Sequence, residues 1–262
     1  MKIACLVKCV PAASAEFGFG ADLTLARDRL DGQLSELDEY AVEQAVRLAE
    51  AGRADRVIHV TMGPGGAEDA VRKALAIGGD EGVHILDDAL HGCDAPGTAR
   101  VLAAAVKRLG ADLVLCGMGS TDAEMSVVPS MVADLLALPE LAFAAELAVE
   151  GGTVRVTRHT DRAIERVEAP LPALVSITDQ AGQARYPTFK TIVAARRKPI
   201  RTWSAVELGV DPGRIGLGGA ATVMLGVGAS PPRAAATIIT GGEGAASALA
   251  DFLAGRNLLP HS

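Results

Sequence analysis

Aromatic side chains are scarce in this sequence. Its 262 residues include one Trp, two Tyr and five Phe. A platform for single-stranded nucleic acid needs aromatic faces on which bases stack, and few are offered here. Positive charge is short as well: 25 Lys and Arg stand against 32 Asp and Glu, for a net charge of −7. A general nucleic-acid binder usually carries a net basic domain, so the balance argues against that class. No run approaches the roughly 20 uncharged apolar residues of a membrane-spanning helix. The first apolar run ends at Lys8 after five residues, too short for a signal-peptide core. The four cysteines, Cys5, Cys9, Cys93 and Cys116, show no zinc-ligand spacing. They read as buried thiols of a reducing compartment, and a cytoplasmic location is expected.

Familiar motifs are missing too. There is no P-loop, no G-x-S-x-G elbow, no H-E-x-x-H, and no G-x-G-x-x-G after the first apolar run. The histidines, His59, His84, His91, His159 and His261, are scattered. His59, inside an apolar strand, reads as a core histidine rather than a metal ligand.

What the chain does have is apolar residues, 49% of the total, and 29 glycines. Residues 3–7, 57–62, 83–86 and 112–116 are short apolar runs that read as buried strands. Between them, residues 38–51, 67–77 and 96–109 carry helical spacing, and a further helix is expected over 127–137. Gly52, Gly78 and Gly110 stop the first three helices, and Ser35 with Asp38 suggests a cap for the helix at 38. Strands alternating with helices over short Gly-rich joints make a doubly wound parallel α/β sheet. Beyond residue 140, residues 153–157 and 164–168 alternate like a hairpin, and 173–178 is one more buried strand. A Gly- and Pro-rich stretch over 209–232 reads as an extended arm, followed by a last helix at 243–254 ended by Gly255. The expected organisation is an α/β domain over 1–205 and a C-terminal arm and helix over 206–262.

In doubly wound sheets the ligand crevice lies at the carboxyl ends of the strands. Three loops fall there: 8–13, 62–66 and 117–128. The third carries Gly117, Gly119, Ser120, Thr121 and Asp122 and leads into a helix, whose start offers free N–H groups to phosphate. The pattern is compatible with a phosphate site and with a plain connecting loop. A second segment, 185–201, holds six basic residues and no acid. Nucleic acid, a solvated face and a docking surface for an acidic partner all fit that charge. The apolar Phe189 among the basic residues suits docking, where an aromatic anchor sits inside a charged rim.

Taken in order, the motifs resemble the β subunit of electron transfer flavoproteins over almost the whole chain. The matching pieces are Met1-Lys2-Ile3 with Val7-Lys8, the run Asp38-Glu39-Tyr40-Ala41-Val42-Glu43-Gln44-Ala45-Val46-Arg47-Leu48, Gly63-Pro64 with Arg72-Lys73-Ala74-Leu75-Ala76, and Ala111 to Gly117. The most specific are Leu171-Pro172-Ala173-Leu174-Val175 and Arg185-Tyr186-Pro187-Thr188 with the basic run to Pro199.

The resemblance implies a Rossmann-like, adenine-nucleotide-binding domain and an arm that wraps a larger α subunit in a heterodimer. It also implies an FAD shared with that subunit and a structural AMP held by this one. Such a dimer takes electrons from flavin-containing dehydrogenases and passes them to a quinone oxidoreductase, so this chain is expected to be a carrier subunit rather than an enzyme. A bifurcating relative with a second FAD in the AMP position, and a stand-alone adenine-nucleotide-binding protein, are the alternatives.

By position, the resemblance implies a nucleotide site of Leu6, Ser35, Glu36, Leu37, Asp38, Met62, Gly117, Met118, Gly119, Ser120, Thr121, Asp122, Met125, Ser126, Val127 and Val128. It places partner recognition on Tyr186, Phe189, Lys190, Arg196, Arg197 and Lys198, with Phe189 where the family usually has leucine. The chain departs from the family pattern at Ala123, where glycine is usual, at Val127, where glutamine is usual, at Ser35-Glu36-Leu37 in place of Asn-Pro-Phe, and at His159 in place of glutamate.

Overall fold

Apolar runs that have no polar alternation must be covered on both faces, and the strands here are. In the computed structural model, which describes residues 1–12, 18–27, 32–228, 231–232, 236–242 and 244–259, β1 (Lys2–Leu6) lies near the middle of the main sheet. After a short ribbon of β2 (Cys9–Pro11) and β3 (Gly32–Leu34) come α1 (Glu36–Glu50), β4 (Arg56–Met62), α2 (Glu68–Ile77), β5 (Glu81–Ile85), α3 (Ala95–Leu109), β6 (Leu113–Gly117), α4 (Val128–Leu136) and β7 (Glu140–Ala144). A small antiparallel sheet of β8 (Glu146–Glu150), β9 (Thr153–His159) and β10 (Ile164–Pro170) follows. The chain then returns through β11 (Ala173–Ile177), α5 (Phe189–Ala195) and β12 (Ile200–Trp203), with a short turn of helix α6 (Gly216–Gly219) and a last helix α7 (Ala245–Gly255).

The main sheet has seven strands in the order β12-β5-β4-β1-β6-β11-β7, and every pair is parallel. This is the doubly wound α/β fold read from the sequence. Alternate residues of β1 serve the two faces. Ile3 and Cys5 join Ala41, Val42 and Ala45 of α1 and Ala70, Val71 and Ala74 of α2. Ala4 and Leu6 join Ala99, Val101, Leu102 and Ala105 of α3. Alanine on the buried helix faces lets the helices approach the sheet closely, so large aromatic rings are not needed to fill the layers.

Helix ends follow local chemistry. Asp94 caps α3 by accepting the Gly97 N–H at 2.9 Å, and left-handed Gly110 ends it. Ser35 sits at the N-cap of α1, but its hydroxyl makes no capping bond and the Asp38 side chain turns elsewhere, so the expected side-chain cap is absent. Gly255 belongs to α7 instead of stopping it.

Other differences have physical causes. Strands β7 and β8 escape a reading by periodicity because each is five residues long and half-exposed. Helix α5 lies inside the basic segment and strand β12 begins in it, and its charge masks them. The stretch after residue 209 is also better anchored than its composition suggests. Leu217 N–H donates to the His91 carbonyl at 2.9 Å, and the N–H groups of Ala221 and Thr222 donate to one Asp94 oxygen at 2.7 and 3.0 Å. The chain divides into compact units Met1–Leu225 and Gly226–Ser262. In the second unit, α7 exposes Leu249 and Phe252. His261 and the first residue of the helix expected at 243–254 fall outside the described residues. No helix among them is long and apolar enough to cross a membrane.

Candidate functional site

The winding reverses beside β1: the chain goes on to β4 and β5 on one side and comes back to β6 on the other. At such a switch point the loops at the carboxyl ends diverge and leave a crevice. Here the crevice is framed by the residues after β1, the first turn of α1, and the loop from β6 to α4.

Asp38 joins all three. Its side chain leaves the first turn of α1 and is buried at 5% exposure. One oxygen accepts the Lys8 N–H at 2.8 Å and the other accepts the Gly117 N–H at 3.1 Å. Burial pushes this carboxyl up to about 7, while the two N–H groups pull in the opposite direction. Gly117 is packed against the same turn. A Cβ there would lie 2.7 Å from both the Asp38 Oδ1 and the Leu37 carbonyl oxygen, so no other residue fits without displacing backbone.

Asp122 has a different environment. The Lys8 ammonium reaches one oxygen at 2.7 Å, and the Arg27 guanidinium pairs with the other. Lys8 also donates to the Ser120 hydroxyl at 3.1 Å. Burial acts to raise the Asp122 pKa, but the charge of Lys8 and the bonds from Lys8, Arg27 and Ser120 outweigh it and hold the carboxyl down at about 2. Both its oxygens are occupied by cations, so this residue fixes the loop. Lys8 opens the candidate loop 8–13 without having been singled out, and Arg27 was not among the expected site residues. Arg27 leaves no sequence signal, since its partner lies 95 positions away.

Beyond Asp122 the backbone is unusual. Glu124 and Ser126 have φ of 50° and 52°. Among the described residues the N–H groups of Met125, Ser126, Val127 and Val128 donate to no protein acceptor. Successive free N–H groups around a left-handed residue form a concavity suited to an anion, and α4 begins at its rim. Pro129 at the start of α4 removes one further donor.

The other expected residues divide clearly. Leu6 lies between Val60 and Cys116 in the sheet, and Met62 ends β4 opposite Ile85. The buried Ser35 hydroxyl has no partner among the described residues. Leu37, Met118 and Gly119 are half-buried, whereas Glu36, Thr121 and Met125 face solvent.

The basic segment forms a separate feature. Thr188 and Thr191 make a capping box at the start of α5. Before the helix, Arg185 binds Glu43 at 2.8 Å and Glu50 at 2.6 Å. After it, Arg72 donates to the carbonyls of Ala195 and Lys198, both at 2.9 Å. The Lys198 ammonium donates to the Leu75 carbonyl at 2.9 Å, which commits it to the fold. Lys190, Arg196 and Arg197 are exposed. Between these anchors Tyr186 and Phe189 stand at 89% and 84% exposure.

His59 is a core residue, its Nε2 bonded to the Gly78 carbonyl at 2.8 Å, and burial lowers it to about 4. No group of His, Cys, Asp and Glu among the described residues is arranged to hold a metal ion.

These features define a doubly wound α/β protein whose loop at the switch point carries backbone N–H groups without protein acceptors among the described residues. The electron transfer flavoprotein domain family matches residues 22–208. Proteins named electron transfer flavoprotein subunit beta match as well: that of Mycobacterium bovis is 36% identical over 249 residues, covering 92% of this chain and 94% of its own. The Mycobacterium leprae protein is 35% identical over 263 residues, covering 98% and 99%, and that of Sus scrofa 37% identical over 175 residues, covering 66% and 69%. The chain belongs to the electron transfer flavoprotein β-subunit family.

Proposed function

We propose that this chain is the β subunit of a heterodimeric electron transfer flavoprotein, that it holds a structural AMP at the switch-point crevice, and that it helps an α subunit hold FAD. The dimer takes electrons from a flavin-containing dehydrogenase and delivers them to a quinone oxidoreductase or respiratory chain in the cytoplasm. The redox chemistry belongs to the flavin, and the chain makes no substrate bonds of its own. Residues 206–262 serve as the arm toward the α subunit.

The observation that carries the nucleotide part is the row of free N–H groups from Met125 to Val128 beside the paired strand ends. These donors suit one phosphate group. Asp122 is already bound to two cations, so its part is to shape the loop.

The test is co-expression with an α subunit. The complex should be yellow with about one flavin per dimer, and denaturation should release about one AMP. A second FAD in place of AMP would assign the bifurcating type. A stable, colourless dimer that accepts no electrons would end the reading, and a monomer that turns over ATP would favour a stand-alone nucleotide protein.

A further inference from the structure

A buried carboxylate ordinarily has a cation against it, because desolvation of an unpaired charge is costly. Asp38 breaks this pattern. The nearest ammonium, that of Lys8, is bonded to Asp122 and Ser120. What Asp38 holds is backbone: one N–H just past β1 and one at the end of β6. These are the two strands between which the winding reverses. The carboxylate therefore closes the base of the crevice with two hydrogen bonds that need both its oxygens as acceptors.

We propose that Asp38 is a proton-sensitive positioning residue of the nucleotide site: ionised, it holds the backbone at Lys8 and Gly117 in the geometry that admits nucleotide, and protonated, it gives up that double acceptor role and loosens the crevice. The inference rests on the nucleotide reading above.

The surroundings place the change near neutrality. From β1 and the residues after it, Cys5 and Lys8 face Asp38; from β6 and its loop, Cys116 and Asp122 do; Arg27 stands behind Asp122, and Glu36 and Glu39 share the turn of α1. Burial raises both thiols well above their ordinary range, so they stay protonated. Asp122, held at about 2, stays ionised. Burial lowers Lys8 and its pairing with Asp122 opposes that. Burial pushes Asp38 up to about 7, against the pull of its two N–H donors and of the Lys8 charge.

The experiment has two arms on the full-length chain. In the first, amide proton resonances of Lys8 and Gly117 are followed by NMR from pH 5.5 to 8.5 without ligand. They should move together with one midpoint near 7 and be static in Asp38→Asn. In the second, AMP affinity is measured by calorimetry. If only the ionised form admits nucleotide, the dissociation constant at pH 6 should be about tenfold larger than at pH 8. Asp38→Asn cannot ionise, so it should bind AMP about tenfold or more weakly than the unaltered chain at pH 8 and approach it toward pH 6, the ionisation of the phosphate itself, near 6, being common to both proteins. Amides that do not titrate, or AMP profiles that coincide, overturn the inference while leaving nucleotide binding intact. Absence of AMP binding at every pH overturns the nucleotide reading, and the role of Asp38 toward nucleotide falls with it. Where Asp38→Asn does not fold, the amide titration of the unaltered chain still decides.

Discussion

The crevice at the switch point and the segment around α5 use charge in opposite ways. In the crevice, Asp38 and Asp122 turn inward and are consumed by backbone N–H groups and by Lys8 and Arg27. What remains free there is backbone. Around α5, Arg185, Arg72 and Lys198 fasten the ends of the segment, and the exposed groups are the rings of Tyr186 and Phe189 among the cations of Lys190, Arg196 and Arg197. A site built from backbone recognises a small polar ligand of fixed shape, whereas one built from exposed apolar side chains suits a protein surface. Substitutions should therefore act on different quantities in the two regions: fold and nucleotide retention in the first, partner kinetics in the second.

The strongest way to break the first half of this contrast is Gly117→Val. A side chain there meets the Leu37 carbonyl and Asp38 within 2.7 Å, which only backbone movement relieves. Overpacking of this kind costs about 3 kcal/mol. Urea unfolding should show that loss, and AMP retention should fall at least tenfold. A variant with unchanged stability and nucleotide content would show that the strand ends are not held as rigidly as their contacts imply.

Asp122→Ala comes next. It leaves Lys8 and Arg27 without a counter-charge; since both cations are about one-third exposed, the loss is about 2 kcal/mol, below that of a fully buried pair. The sign with pH follows from a carboxyl lowered from 3.8 to about 2. Its contribution is complete above the unfolded value and disappears as pH falls through about 2. Unfolding free energies of the two proteins should thus differ at pH 7 and converge toward pH 2. A difference independent of pH would mean that packing, not charge, is lost.

Arg185→Ala sharpens the comparison from the other side. Burial raises the Glu43 pKa, but its bonds to Arg185 and Arg47 outweigh that and hold it below its usual range, so removing Arg185 leaves a buried carboxylate with one partner. About 1–2 kcal/mol should be lost. Because the same change frees one end of the exposed segment, dehydrogenase docking should weaken while AMP content holds. Loss of AMP in this variant would show that the two regions are coupled.

Much of this was legible in the sequence, and the parts that were not share a cause. The parallel strands announce themselves as apolar runs such as Val57–Met62, and α3 by Pro96 and Gly110. The candidate loop 117–128 follows from its glycines and its place after a strand. Asp38 and Gly117 were on the expected list, but a bond between positions 79 apart has no local signature. The same holds for Arg27 with Asp122, and for Arg72 with the carbonyls at the end of α5. Side chains that bind distant backbone are chosen by tertiary geometry, which periodicity does not record.

The smallest effect on the fold, and the clearest separation of the two regions, belongs to Phe189→Ala. At 84% exposure the ring contributes little to the core, so stability should stay within about 0.5 kcal/mol. Flavin and AMP content of the complex should be unchanged. Electron uptake from the dehydrogenase should slow about tenfold or more, as expected when an aromatic anchor is cut back. The loss should appear in KM more than in kcat, since docking rather than the electron step is impaired. Conservative replacement by leucine should restore most of the rate, because what the partner needs at this position is apolar bulk on a helix whose ends Arg185 and Arg72 keep in place. Unchanged kinetics in the alanine variant would remove Phe189 from the contact and shift attention to Tyr186, the more exposed of the two rings.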